Sequence, residues 1–282
     1  MRRLYLWLLL LLIAPSALAQ SGADSLLIVN ADWSISSPHK GLTHKQAQIK
    51  GLYNSTQSIN LIEIAPSPKR KVRVASNNKM VETSLQASEH KAVAAINGTY
   101  YNTKLGNSTC FYKINKEVID NTTDGEFKTR VNGAIHERGG KITIIEWNKQ
   151  IESEYQGKQG TVLASGPIML DDGKISDWSS CSQSFIDTRH PRSAIFIKKD
   201  GTVVLLTVDG RSAGNADGMS IPELAFLAKI LGAEDAINLD GGGSTTLWMQ
   251  GAPENGILNY PSDNKLFDHQ GERKVSNIFY VK

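Results

Sequence analysis

The sequence runs to 282 residues, with 31 Lys and Arg against 28 Asp and Glu and a formal net charge of +3. Two of those positive charges, Arg2 and Arg3, stand at the extreme N-terminus, so the remainder is close to neutral and lacks the basic face expected of a nucleic-acid binder. A chain of this length suits one large α/β or α+β domain with a substantial core.

In chain order, Arg2 and Arg3 precede an apolar run over residues 4–14, and Ala17-Leu18-Ala19 stands ahead of Gln20. That is the pattern of a secretory signal peptide. The run is about half of the ~20 residues needed to span a bilayer. Cleavage after residue 19 should therefore release a chain without a membrane span, to the periplasm or the medium. Residues 20–89 read as a strand-rich N-terminal subdomain or extension: 26–29, 58–64 and 72–75 are short apolar runs bounded by turns, and 80–88 reads as a helix. Lys69-Arg70-Lys71 beside Pro68 reads as a solvated turn.

Residues 90–282 make up the rest of the chain. Strands are expected at 92–96, 111–118, 131–136, 142–147 and 161–164. Residues 193–198 and 202–208 flank Lys199-Asp200-Gly201, which predicts a hairpin. A helix should start after Ser220, because Ser220 and Glu223 have capping-box spacing and Pro222 lies in the first turn. Leu224, Leu227, Ala228 and Leu231 share one face of it, and Gly232 ends it. Strands follow at 236–239, 246–249 and 275–281. The whole predicts an α+β fold: a mixed, strand-rich sheet core with a few packed helices, in a single large domain. Cys110 and Cys181 are the only cysteines, and both a single disulfide and two unpaired thiols stay open.

Chemistry concentrates at strand ends. Asn238-Leu239-Asp240-Gly241-Gly242-Gly243-Ser244-Thr245-Thr246 follows a buried strand with three successive glycines, a conformational-entropy cost of up to ~1 kcal/mol each relative to Ala. Such a loop lets backbone N–H groups approach an anion, and Asp240 adds a carboxylate. Asp240 also suits the lesser task of orienting its own loop. Asp209-Gly210-Arg211-Ser212 sets a carboxylate and a guanidinium on a turn after a strand; Arg211 stands where a calcium loop needs an oxygen ligand. Thr188-Arg189-His190-Pro191-Arg192-Ser193 puts two guanidinium groups, suited to bidentate phosphate recognition, before a strand. Gly-x-x-x-x-Gly-Lys and His-Glu-x-x-His are absent.

Together with Asn97-Gly98-Thr99-Tyr100-Tyr101, Ser165-Gly166-Pro167, Gly218-Met219-Ser220-Ile221-Pro222-Glu223-Leu224-Ala225 and Glu272-Arg273-Lys274-Val275-Ser276-Asn277, these motifs resemble the phosphodiester glycosidase family over about residues 90–282. The resemblance implies that residues 90–282 are a catalytic domain whose hydrolysis frees a sugar such as N-acetylglucosamine from a phosphodiester; no cofactor is expected, and no compact Asp/His metal-ligand set is visible in the sequence. The family commonly has Gly followed by aromatics where Thr99-Tyr100-Tyr101 stands here.

Asp209, Glu223 and Asp240 are the candidate catalytic carboxylates, with Glu223 divided between helix cap and site. The candidate substrate-binding set is Asn97, Ser165, Gly166, Arg189, His190, Arg192, Gly210, Arg211, Ser212, Asn238, Gly241, Gly242, Gly243, Ser244, Thr245, Arg273 and Asn277. The expected partner is a sugar phosphate or phosphodiester-linked glycan. A phosphodiesterase that cleaves P–O and a non-catalytic module for anionic polysaccharide are the alternative readings.

Overall fold

The computed structural model describes residues 22–67 and 69–282, so the expected signal peptide and Pro68 lie outside the described residues. The centre is an eight-stranded, wholly antiparallel sheet. Its order is Ser34–Ser36, Leu42–Lys50, Thr56–Ile64, Val203–Val208, Arg192–Lys198, Ala233–Asn238, Ile168–Asp171 and Lys174–Ile175. The strand Thr56–Ile64 pairs with Val203–Val208 from Ile59↔Val208 to Ile64↔Val203, so the N-terminal segment is built into the sheet that carries the later motifs.

Period-two alternation decides which face each residue of this sheet covers. Along Arg192–Lys198, Ala194 and Phe196 face a layer of helices, in a cluster with Leu224, Leu227 and Ala228 of the helix Ile221–Ile230. Ile195 points the other way, where it meets Ile96 and Phe279 of a four-stranded sheet and Ile135 and Leu163 of a five-stranded sheet. The core is thus a helix layer, a central sheet and two smaller sheets beneath. The α+β, strand-rich class holds.

The helix Ile221–Ile230 has the expected capping box: Ser220 Oγ accepts from Glu223 N, and Glu223 Oε2 accepts from Ser220 N at 2.9 Å. Gly232 follows with φ +91°, a left-handed conformation that glycine reaches without penalty. The 193–208 hairpin forms in full register.

Three expectations need correction. Residues 26–29 form the end of the helix Gly22–Val29 rather than a strand, because a short apolar run suits either state and here Ile28 packs into the helix layer. The 111–118 run breaks at Asn115, φ +52°, into the paired strands Tyr112–Ile114 and Glu117–Asp120. Residues 80–82 stay in the strand Val72–Glu82, so that helix spans Thr83–Glu89. Cys110 and Cys181 are both free thiols.

Candidate active site

Antiparallel pairing brings the motifs to one end of the fold. Arg192 faces Val208, and Ala194 faces Asn238, so the start of one strand and the ends of its two neighbours coincide. Asn97, at the end of Ala94–Asn97, ties the smaller sheet to this end. Its Nδ2 donates to Asp240 O at 2.7 Å, and its Oδ1 accepts from Ser193 Oγ at 2.7 Å and from Thr246 N at 3.1 Å. Asp240 N in turn donates to Gly98 O at 3.0 Å. Asn277 Oδ1 accepts from Thr99 N at 2.8 Å, and a side chain on Gly98 would run into that oxygen. Asn97 and Asn277 therefore hold the loop's base.

Ser165, Gly166 and Asn238 form a second support. Ser165 Oγ donates to Asn238 O at 2.9 Å, while Asn238 Nδ2 reaches Tyr100 Oη at 2.8 Å and Gly166 O at 2.9 Å. A Cβ on Gly166 would collide with the carbonyl oxygen of Arg130, so the glycine admits that segment. Arg130 is a participant that local motif reading misses. Its guanidinium lies 3.6 Å from the Tyr100 ring centroid and forms a bidentate pair with Glu126, Nε–Oε2 at 2.6 Å and Nη2–Oε1 at 2.9 Å. Burial opposes its charge, but Glu126, Tyr100 and Asp240 outweigh that and hold Arg130 above its ordinary pKa.

The glycine loop is walled by two further guanidinium groups. A Cβ on Gly242, φ +63°, would stand 2.9 Å from Arg211 Nη2, and one on Gly243 would stand 2.5 Å from Arg273 Nη2. Gly241 and Gly242 pack onto Pro191, with Gly242 N donating to Pro191 O at 2.8 Å. Arg273 is fastened by Asp263 Oδ1, which accepts from its Nε at 2.7 Å. Arg211 has no hydrogen-bond or ion-pair partner among the described residues, and its backbone sits at φ +62°. A non-glycine residue held left-handed costs of order 1–3 kcal/mol and is concentrated at functional sites. Tyr101 Oη, 3.4 Å from Ser244 Oγ, completes the wall beside Asp240.

The three carboxylates fare differently. Asp209, 1% exposed, accepts from Ser58 Oγ at 2.7 Å, Asn259 Nδ2 at 3.0 Å and Tyr260 N at 2.8 Å. Burial raises its pKa against those three donors. Glu223 is the helix cap and also holds Arg189, whose Nε lies 3.0 Å from Oε2. Only Asp240 opens on the glycine loop without such backbone ties. Burial pushes it up to about 6, against Ser244 and the guanidinium groups of Arg130 and Arg273.

The arginines of the 189–192 turn are also committed. Arg189 Nη2 donates to Tyr53 O at 2.7 Å, and Glu223 holds its charge above the ordinary value. Arg192, 2% exposed, donates to Met219 O at 2.9 Å, Thr188 O at 2.7 Å and Phe185 O at 3.1 Å. Burial without a carboxylate in contact pushes it down to about 10. His190 is half-buried, and burial and the charges of Arg192 and Arg211 lower its pKa. Gly210 packs against Gly218 and Pro191, and Ser212 Oγ accepts from Asn215 Nδ2 at 3.1 Å within its own loop. Thr245 Oγ1 is buried without a partner among the described residues. Asp240, Gly242, Gly243, Ser244, Arg211 and Arg273 thus form one cluster with Tyr101 and Arg130. Asp209 and the Glu223–Arg189 pair are tied into the frame around it.

The family model for phosphodiester glycosidases matches residues 90–282. The chain belongs to the phosphodiester glycosidase family. Among curated relatives, the SPbeta prophage-derived uncharacterized protein YomE of Bacillus subtilis is 26% identical over 214 residues, which is 69% of this chain and 33% of that protein. The bovine N-acetylglucosamine-1-phosphodiester alpha-N-acetylglucosaminidase is 28% identical over 108 residues, 36% of this chain and 19% of the enzyme. The chain thus spans a third or less of these relatives' lengths. Among solved structures, the zebrafish N-acetylglucosamine-1-phosphodiester alpha-N-acetylglucosaminidase catalytic domain, auto-inhibited by its pro-peptide, superposes with TM-score 0.65 at 20% identity, over 89% of this chain and 87% of that one. A hypothetical protein from Synechocystis does so with TM-score 0.67 at 17% identity, over 88% of this chain and 63% of that one. These two share the family fold.

Proposed function

We propose that this phosphodiester glycosidase-family chain hydrolyses the bond between a sugar's anomeric carbon and the oxygen of a phosphodiester, in a glycan or glycoconjugate outside the cytoplasm. The single observation that carries the reading is the setting of Asp240: a half-buried carboxyl on a glycine loop whose walls are Arg211 and Arg273. The signal peptide pattern supports the location. The bovine relative's name supports N-acetylglucosamine as the sugar.

A departing phosphate monoester is stable as an anion at neutral pH, so it needs charge compensation more than a proton. Arg211, with no anionic partner among the described residues, and Arg273 supply it, with the loop's backbone N–H groups. The sugar carbon needs a carboxylate. Asp240 takes that role, as nucleophile or as base toward water, because Asp209 and Glu223 are held by other donors. Arg130 on Tyr100 keeps a positive charge near Asp240 and favours its ionised form.

Incubation of the purified protein with N-acetylglucosamine phosphodiester model compounds in heavy-oxygen water tests the reading. Label on the released sugar supports it. Label on phosphate overturns it in favour of P–O cleavage, and no turnover overturns it in favour of a binding module.

A further inference from the structure

Beside the Asp209 junction lies a second feature, built largely from the N-terminal segment outside the family-matched region. A cavity of about 410 Å³ is lined by Gln46, Gln48, Asn60, Asn215, Tyr260 and Phe267, among others. Its volume lies within the range of small-ligand sites, roughly 300–1,000 Å³. Ser58 and Tyr260, which hold Asp209, are among its lining residues, and Asn215 belongs to the loop that carries Arg211. Ser34 and Gln46 also line a second cavity of about 410 Å³.

The lining selects a chemistry. Among the described residues, four side-chain amides face the first cavity, and Asp32 is its one carboxylate, with no Lys or Arg. An anionic chain finds no counter-charge there. Asn60 is 2% exposed; its Oδ1 lies 3.3 Å from His44 Nε2, and its Nδ2 has no partner among the described residues. That nitrogen is not sealed from solvent, so it is open to an acceptor held in the cavity. His44, its pKa lowered by burial, lines the second cavity, so the His44–Asn60 pair presents polar atoms to both. The aromatic element is equally suited. Phe267 stacks on Tyr260 with centroids 4.0 Å apart and stays half-exposed, while Tyr260 is backed by His269 at 4.3 Å. Amide donors and acceptors beside an aromatic face match the hydroxyls and C–H faces of sugars.

We propose that the first cavity binds a chain of neutral sugars, so that the substrate is an oligosaccharide carrying the phosphodiester rather than a lone sugar ester. The link to catalysis rests on the glycosidase reading above; the sugar binding does not.

Binding of neutral tetrasaccharides (β-1,4-linked N-acetylglucosamine, β-1,4- and α-1,4-linked glucose, and α-linked mannose) is measured by titration calorimetry on the full chain at millimolar ligand. The comparison proteins are Gln46→Ala with Gln48→Ala, and Phe267→Ala, with melting curves as the folding control. At least one tetrasaccharide binds, the double variant weakens it about tenfold or more, and hydrolysis of a single-sugar phosphodiester is unchanged. Failure of every tetrasaccharide to bind overturns the proposal, as does equal binding by the folded double variant. Sugar binding that follows these substitutions in a protein with no phosphodiester hydrolysis upholds the cavity as a sugar site and removes the glycosidase reading instead.

Discussion

Arg273 Nη2 occupies the space of the side chain that Gly243 lacks: a Cβ there would lie 2.5 Å from it and 2.6 Å from Asp263 Oδ1. Both obstructing atoms are ends of side chains, so Gly243→Ala is absorbed by displacing the Arg273–Asp263 pair rather than the backbone. Stability should fall by no more than about 1 kcal/mol. Turnover should fall by roughly 100-fold, the scale on which a displacement of about 1 Å acts on an aligned site. Melting curves and kcat/KM on a sugar phosphodiester check this, and an unchanged kcat/KM would place the loop outside the site.

Asp240 should divide activity from stability. Its carboxyl titrates near 6, raised by burial above an unfolded value of about 3.9. The folded state therefore holds the proton longer than the unfolded state, and the group's contribution to stability declines as pH rises from about 4 to 6. Asp240→Asn removes that penalty, so at neutral pH the variant should melt no lower than the parent. Its turnover should drop by at least about 100-fold. In the parent, kcat/KM should climb through about pH 6 to a plateau, because the ionised carboxylate is the working form. A rate that instead falls through that range assigns Asp240 the part of an acid.

Glu223 should behave in the opposite way. It caps the helix Ile221–Ile230 and holds Arg189. Glu223→Gln keeps a cap acceptor but leaves a half-buried guanidinium without its charge partner. A loss of about 1–3 kcal/mol is expected, discounted from the fully buried case because Arg189 is partly solvated. Below its melting temperature the variant should retain kcat within a few-fold. Loss of kcat without loss of stability would return Glu223 to the catalytic set.

The contrast between these two carboxylates marks how far local sequence reaches. Ser220 and Glu223 are three residues apart, so the cap and the helix were legible, as were the 193–208 hairpin and the glycine loop. Asp209 looks like a free strand-end carboxylate until Ser58 and Tyr260 arrive from 151 and 51 residues away. Arg130 carries no motif, because its approach depends on the missing side chain of Gly166. The strand Leu42–Lys50 escaped because its sequence, LTHKQAQIK, is mostly polar. Leu42, His44, Ala47 and Ile49 are buried, but the inward phase shifts between His44 and Ala47, which breaks the alternation that reveals a strand.

Arg211 offers the sharpest separation of binding from folding. Its guanidinium has no protein partner among the described residues, whereas Arg189 and Arg192 are tied to a carboxylate and to three carbonyls. Removing it therefore leaves no acceptor stranded, and relief of the φ +62° backbone by glycine is available. Arg211→Gly should be within about 0.5 kcal/mol of the parent in stability. It should raise KM for a sugar phosphodiester by about 10-fold or more, since a charge-assisted contact to phosphate contributes ~1.5–3 kcal/mol. Inorganic phosphate should inhibit the parent competitively and the variant far less. Equal inhibition of both would mean that the phosphate sits elsewhere, and the guanidinium wall would then have no part in holding it.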